Sequence, residues 1–161
     1  MTIQVGDKLP NATFRLVTDD GARPVTTQEF FAGRKIVLFG LPGAFTPTCH
    51  KNHLPGFLAH EAAIKAKGVA EIAMMAVNDQ YVLAAWSKAT GADGHIAFLA
   101  DGAADFAKAA GLDFDASAGG LGVRSKRYAM LVDDGVVKLL NIEEAPGKAD
   151  LSSAAHLLAQ M

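Results

Sequence analysis

The chain contains a single cysteine, Cys49, and the residues around it could make its sulfur a nucleophile. Thr46 and Pro47 have the residue types of a helix N-cap and a first helical position, which places Cys49 in the first turn of a predicted helix. Unpaired backbone N–H groups and the positive end of the helix dipole stabilise a thiolate at that position. We therefore expect a reactive thiol, although a lone cysteine is more commonly a small buried apolar residue.

Arg127 is the second residue whose type and position could do chemistry, because it stands at the start of a predicted strand. Alternation along that strand puts Arg127 on the same face as Ala129 and Leu131, which should point inward. A buried guanidinium needs an anionic partner, and a Cys49 thiolate is one candidate. The alternative is an Arg127 that pairs with Asp or Glu or is solvated, and the nearby Arg124 is interpreted as a surface charge.

Apolar runs alternate with amphipathic segments along the chain. This pattern predicts that an α/β fold, with parallel strands joined by helices, positions these two residues. Pro55-Gly56 should interrupt the helix that carries Cys49, and Asp134-Gly135 should turn a hairpin between the last two strands. Strands are predicted at residues 12–17, 35–39, 71–77, 96–100, 128–132 and 136–141. Helices are predicted at residues 26–31, 47–67, 79–90, 103–110 and 152–160.

Length and composition limit the classes of protein that the chain can belong to. Its 161 residues, half of them hydrophobic, suit one domain that spans residues 1–161. A formal charge of -2 with dispersed Lys and Arg argues against a nucleic-acid partner. Because no apolar stretch is long enough to span a bilayer and the N-terminus does not resemble a signal peptide, we expect a soluble cytoplasmic protein without membrane association.

A metal site is a different interpretation of the same region, because Cys49 and His53 are four residues apart on the predicted helix. His60 lies seven residues beyond His53, but Pro55-Gly56 separates the two histidines. A structural site usually needs four ligands, so we expect no bound metal and assign the histidines to the surface or to packing.

Four motifs together resemble those of the type II peroxiredoxins. The resemblance implies a thioredoxin-like α/β fold, with a central mixed β-sheet flanked by helices, and a thiol-dependent peroxidase activity. It extends over nearly the whole chain. The motifs are Pro42-Gly43-Ala44-Phe45-Thr46-Pro47-Thr48-Cys49, His53-Leu54-Pro55-Gly56-Phe57, Val77-Asn78-Asp79 and Lys126-Arg127-Tyr128.

The same resemblance implies a role for each site residue. Cys49 would be the nucleophile that attacks a peroxide oxygen and becomes a sulfenic acid. Thr46 would hydrogen-bond the sulfur or the substrate, Arg127 would stabilise negative charge, and Pro42 would shield the sulfur from water. The peroxide pocket would be completed by Ala44, Phe45 and Thr48.

The chain departs from some type II relatives in lacking a second, resolving cysteine. The resemblance then implies a one-cysteine cycle without a prosthetic cofactor, in which an external thiol resolves the sulfenic acid. Glutathione, with or without glutaredoxin, is the favoured reductant, and thioredoxin is the alternative. The family also implies a homodimer. A peroxide-sensing interaction protein without efficient turnover, or a thiol transferase, would need the same reactive Cys49.

Overall fold

A computed structural model describes all residues from 1 to 161 and contains one seven-stranded mixed sheet with helices on both faces. The strand order across the sheet is β2-β1-β5-β4-β3-β8-β9, and a separate two-stranded sheet pairs β6 with β7. The strands are β1 (Thr13–Thr18), β2 (Gly21–Thr26), β3 (Lys35–Leu41), β4 (Glu71–Ala76), β5 (Ala97–Ala100), β6 (Asp113–Asp115), β7 (Val123–Ser125), β8 (Tyr128–Asp133) and β9 (Val136–Ile142). The predicted mixed α/β class is confirmed.

Only the centre of the sheet is parallel, because β3, β4 and β5 are the strands connected through helices. The strands β1, β2, β8 and β9 pair with antiparallel neighbours, so the expectation of parallel strands applies only to these three. β8 and β9 form the predicted hairpin, in which Asp134 and Gly135 both have positive φ. All six predicted strands are present, with ends within two residues of the prediction.

Three strands, β2, β6 and β7, were not predicted. β2 carries Pro24 and is mostly exposed, which is typical of an edge strand and weakens the alternating pattern. β6 and β7 have three residues each, too few for a periodic signal.

The helices lie close to their predicted positions, except that the long helix after Cys49 is divided. A helical turn starts at Pro47, the π-helical segment Cys49–His53 follows it, and the chain then forms two short α-helices separated at His60. None of the helices is both long and apolar enough to cross a membrane. The α-helices are α1 (Thr27–Phe31), α2 (Leu54–Ala59), α3 (Glu61–Lys65), α4 (Gln80–Thr90), α5 (Asp105–Ala109) and α6 (Ala154–Gln160).

Two apolar clusters lie on opposite faces of the sheet, since successive side chains of β3 alternate between them. Val37 and Phe39 belong to the cluster covered by α2, α3, α4 and α6, whereas Ile36 and Leu38 belong to the cluster covered by α1 and α5. Cys49 is a member of the first cluster, so its sulfur lies within the core rather than on the surface.

Candidate active site

Cys49 lies just beyond the carboxyl end of β3, in the first helical turn after a short loop. Its side chain is fully buried. The helix begins at Pro47 as predicted, but the Thr46 hydroxyl donates to the Gly43 carbonyl at 2.7 Å instead of capping the helix. The structure therefore corrects the expected N-cap and shows no hydrogen bond between the Thr46 hydroxyl and the sulfur.

Arg127 is the residue that contacts the sulfur directly, with its Nη2 donating to Cys49 Sγ at 3.1 Å. Its side chain is buried, as predicted, because Arg127 immediately precedes β8 and shares the inward face of that strand. Nε and Nη2 also donate to the Pro146 carbonyl, at 3.2 and 2.9 Å. The alternatives of a solvated Arg127 or one paired with Asp or Glu are wrong, since no carboxylate forms an ion pair with it.

His53 is a buried member of the site that the sequence analysis did not assign. Its Nε2 lies 2.9 Å from the Ser152 carbonyl, which can only accept, so Nε2 carries the proton and Nδ1 accepts from Arg127 Nη1 at 3.1 Å. Burial, reinforced by the charge of Arg127, lowers the pKa of His53 to about 3, although the Ser152 carbonyl and the charge of Glu143 partly oppose this. The imidazole is therefore neutral at physiological pH.

Of the two alternatives given for His53, the surface position is wrong and packing is confirmed, since the ring is buried against Phe39 and Phe57. The hydrogen bonds of His53 also bear on the metal interpretation. Nε2 of His53 carries a proton and the lone pair of Nδ1 accepts from Arg127, which leaves neither ring nitrogen free for a metal ion. No group of three or more His, Cys, Asp or Glu side chains has metal-binding geometry. The four-residue spacing between Cys49 and His53, which suggested a pair of metal ligands, was the one feature of the sequence that indicated that the two side chains lie close together.

The loop between β3 and Cys49 is fixed by side chains from two other segments. Ala44 N–H donates to Asn78 Oδ1 at 2.9 Å, and Asn78 follows β4, whose carboxyl end adjoins that of β3. The Pro42 carbonyl accepts from Arg124 Nη1 at 3.1 Å. Arg124 is therefore part of the site's support, which corrects its interpretation as a surface charge. Only the tertiary structure reveals its contact with Pro42.

The remaining pocket residues, Pro42, Phe45 and Thr48, differ in their exposure. Phe45 is 51% exposed and has a φ of 61°, in the left-handed region. Its ring stacks on His50 at 5.8 Å, and His50 Nδ1 accepts from Trp86 Nε1 at 2.9 Å. Thr48 donates from its hydroxyl to the Gly147 carbonyl at 3.2 Å. Pro42 itself is buried at the end of β3.

The arrangement brings a buried sulfur, a fixed cation and a neutral histidine together. A guanidinium beside the sulfur stabilises a thiolate, and the same cation can stabilise negative charge that develops on an oxygen bound to that sulfur. Cys49 and Arg127 are thus in contact, whereas Pro42, Ala44, Phe45, Thr46 and Thr48 lie along the segment that leads to the sulfur.

Comparisons with known proteins show the family of the chain. The family model described as Redoxin matches residues 4–158. Peroxiredoxin-2E-2, chloroplastic, from Oryza sativa subsp. japonica is 49% identical over 98% of this chain and 72% of its own length. Peroxiredoxin-2C from the same plant is 44% identical over 97% of this chain and 96% of its own length.

A solved structure gives the same result at the level of the fold. Reduced Prx3 from Vibrio vulnificus, in complex with H2O2, superposes with a TM-score of 0.93 and 48% sequence identity, covering 99% of each chain. The resemblance and the thioredoxin-like fold expected from the motifs are therefore confirmed. The chain belongs to the redoxin family and, within it, to the type II peroxiredoxins, which are thiol peroxidases.

Proposed function

We propose that the chain is a single catalytic domain that reduces hydrogen peroxide and alkyl hydroperoxides at Cys49. The observation that carries this proposal is the buried Sγ of Cys49 held 3.1 Å from Arg127 Nη2. The thiolate attacks one peroxide oxygen, the O–O bond breaks, and Cys49 becomes a sulfenic acid. The other oxygen leaves with the electron pair and takes a proton, giving water or an alcohol.

Arg127 and Thr46 are assigned to the transition state of this reaction. The guanidinium of Arg127 stabilises the charge on sulfur and on the departing oxygen, which is worth most in a site that excludes water. The Thr46 hydroxyl, now bonded to the Gly43 carbonyl, has free lone pairs that can accept a hydrogen bond from the peroxide.

The other pocket residues are assigned to shielding and binding. The ring of Pro42 limits the access of water, and the backbone N–H groups of Phe45 and Thr48 orient the peroxide, while Ala44, whose N–H already donates to Asn78 Oδ1, shapes the pocket wall. Support comes from Asn78 and Arg124, whose hydrogen bonds hold this loop in one conformation.

Resolution of the sulfenic acid requires a second molecule, because the chain has one cysteine. We assign this step to an external thiol, with glutathione or glutaredoxin favoured and thioredoxin as the alternative. The external thiolate attacks the sulfenic sulfur, hydroxide leaves as water after protonation, and a further thiol reduces the mixed disulfide. Since Cys49 is fully buried, a bulky thiol needs the π-helical segment Cys49–His53 to open locally.

A homodimer and a cytoplasmic location complete the proposal. Exposed apolar side chains concentrate on segments that are bonded to the active-site loop: α4 follows Asn78, and Arg124 contacts both Pro42 and Leu121. Such a concentration favours burial against a second copy. Five of the eight exposed large apolar side chains lie there, namely Phe45, Tyr81, Val82, Leu121 and Val123, whereas Met1, Val5 and Leu151 lie elsewhere.

The decisive test compares Cys49 oxidation in the folded and unfolded chains. Stopped-flow mixing of reduced protein with hydrogen peroxide should give a rate far above that of the urea-unfolded chain, and mass spectrometry should find sulfenic acid at Cys49. Equal rates would overturn the peroxidase proposal for hydrogen peroxide. Fast oxidation without turnover on any of the three reductants would instead favour the peroxide-sensing alternative.

The assigned roles of Arg127 and Thr46 predict the kinetics of two variants. Arg127→Gln and Thr46→Val should each slow Cys49 oxidation about 10²–10³-fold, more than the change in thiolate fraction explains. Lys126→Gln is the matched control, because Lys126 is the adjacent cation without a side-chain bond to the site. Unchanged rates in both active-site variants would show that these residues are not catalytic.

A further inference from the structure

We infer that Glu143 is a positioning residue that fixes Arg127 against Cys49 by ordering the segment from Glu143 to Ser152. This inference rests on the proposed peroxidase function. It assigns a role in that function to a residue that does not contact the reacting atoms. Glu143 follows β9 directly and does not touch the sulfur, and no pattern in the sequence singles it out.

The carboxylate of Glu143 is the point at which the far end of this segment is held. Oε1 accepts from the backbone N–H groups of Asp150 at 3.3 Å and Leu151 at 3.2 Å. Oε2 accepts from Ser152 twice, from its N–H at 2.8 Å and its hydroxyl at 2.6 Å. The Glu143 N–H donates to the Arg127 carbonyl at 2.9 Å, which ties the same residue to the base of β8.

The segment held in this way supplies the acceptors that orient the site. The Pro146 carbonyl accepts from Nε and Nη2 of Arg127, so it fixes the plane of the guanidinium that reaches the sulfur. The Ser152 carbonyl accepts from His53, whose other nitrogen accepts from Nη1 of the same guanidinium. Arg127 is thus held directly by the Pro146 carbonyl and indirectly, through His53, by the Ser152 carbonyl. Both carbonyls belong to the same segment.

This segment has no helix or strand until α6 begins at Ala154, and besides Glu143 the side chains that bond to it are Arg127, His53 and Thr48, the last through the Gly147 carbonyl. Its internal backbone hydrogen bonds are limited to Lys148 N–H to the Ala145 carbonyl and Ser153 N–H to the Asp150 carbonyl. The four hydrogen bonds that converge on the Glu143 carboxylate are therefore the largest set made to this segment by one side chain, and they hold its far end. Loss of that carboxylate should let the Pro146 and Ser152 carbonyls move apart.

Charge and buried position make a carboxylate specifically suited to this role. Burial alone would raise the pKa of Glu143, but the hydrogen bonds from Ser152, Leu151 and Asp150 outweigh it and hold the pKa below its ordinary value. The side chain is therefore an ionised acceptor at neutral pH. A glutamine of the same shape would present an NH2 group to backbone N–H donors, and two donors cannot satisfy each other.

The test pairs Glu143→Gln with Glu144→Gln, which removes the same charge at the adjacent, exposed position. Three measurements are made on each reduced protein: the rate of Cys49 oxidation by hydrogen peroxide, the pH titration of the thiolate by ultraviolet absorbance, and the exchange of the Arg127 Nε–H with solvent by NMR. The exchange rate reports whether the guanidinium still bonds to Pro146, and exchange of the backbone amides of β3 and β4 in the same samples shows whether the fold as a whole is less stable.

Glu143→Gln should slow oxidation about 10–100-fold, the scale expected from misplacing a catalytic group by about 1 Å. It should also shift the thiolate titration and accelerate Nε–H exchange, while Glu144→Gln matches the wild type in all three measurements. Normal Nε–H protection and an unchanged thiolate titration in Glu143→Gln would overturn the inference.

Two further outcomes are covered by the same experiment. If Glu143→Gln does not fold, Ser152→Ala decides, because it removes one of the four bonds and leaves the backbone acceptor. It should cause smaller changes of the same sign. A Ser152→Ala protein that matches the wild type would contradict the inference. If wild-type protein does not react rapidly with peroxide, the proposed function fails, yet Nε–H exchange still shows whether Glu143 positions Arg127.

Discussion

At the scale of single residues, the guanidinium of Arg127 divides its donors among three acceptors: a sulfur, an imidazole nitrogen and a carbonyl. Of these three acceptors, only the Cys49 sulfur can become an anion during the reaction. The neutral ring of His53 can accept from Arg127 only while its Nδ1 is unprotonated. Protonation of His53 would set two cations against each other, so the site depends on a histidine that remains neutral.

This dependence predicts how the free energy of unfolding changes with pH. The pKa of His53 is about 3 in the fold and 6.5 ordinarily, so the unfolded chain binds more protons between these values. Stability should therefore be unaffected above about pH 7 and should fall as the pH decreases below 6.5, by about 2 kcal/mol at about pH 5. Urea unfolding at a series of pH values measures this change.

The His53→Gln variant isolates the contribution of this residue, because glutamine can still donate to the Ser152 carbonyl but does not titrate. The other titrating groups are common to both proteins, so they cancel in the difference between their unfolding free energies. We expect that difference to change with pH below 6.5 and to be constant above it. A difference that is independent of pH would contradict a buried, neutral His53.

At the scale of elements, the π-helical segment Cys49–His53 and α2 form one irregular helical run. The Leu54 N–H donates to the Cys49 carbonyl, five residues back, and Pro55 has no N–H to continue the ordinary ladder. The predicted interruption at Pro55-Gly56 is therefore present as a π-helical segment on its N-terminal side. This geometry puts Cys49 and His53 on the side that faces Arg127.

The pairing of β3 with β8 places Gly40 directly opposite Tyr128. A Cβ at residue 40 would lie 2.2 Å from Cε1 of the buried Tyr128 ring. Gly40→Ala should therefore destabilise the protein by about 1–3 kcal/mol and slow peroxide reduction, since Tyr128 adjoins Arg127. Chemical denaturation and stopped-flow oxidation measure the two effects.

Gly56→Ala is the matched control for this substitution. Gly56 lies in α2, has no neighbour within 4 Å of an added Cβ, and needs no positive φ. Alanine there should stabilise the protein by up to about 1 kcal/mol because it lowers the entropy lost on helix formation. Equal effects of the two substitutions would mean that the close approach of Tyr128 to Gly40 does not limit the packing of the sheet.

At the scale of the whole molecule, the sheet brings the active-site loop, the start of α4 and β7 to one end. The exposed apolar side chains on these segments are the basis of the proposed homodimer. Tyr81 is 78% exposed and lies in the first turn of α4, where an acidic residue is compatible with the helix dipole. This makes residue 81 a suitable place to test the interface without unfolding the chain.

Tyr81→Glu should convert a dimer to a monomer in sedimentation velocity experiments, because it would bury a charge in an apolar interface. Val5→Glu is the control, since Val5 is 60% exposed in the N-terminal segment that pairs with β9. A wild-type protein that sediments as a monomer would refute the homodimer, and a Tyr81→Glu protein that remains dimeric would place the interface on another face.

Much of the molecule could be predicted from the sequence because its signals are local. The strands β3, β4 and β8 are continuous apolar runs, and Asp134-Gly135 specifies its hairpin by conformational preference alone. The types and spacing of the residues around Cys49 indicated a reactive thiol in a first helical turn. Strand alternation indicated that Arg127 faces inward, and a buried cation requires an acceptor.

The sequence by itself therefore determined the fold class, the family and the two residues, Cys49 and Arg127, that make the central contact. Only the tertiary structure decided what holds that contact in place, namely His53, Arg124, Asn78 and Glu143. These residues act through hydrogen bonds between segments that are far apart in the chain. Periodicity and turn preference report a residue's relation to its near neighbours, and neither specifies which distant acceptor folding will bring within hydrogen-bonding distance of it.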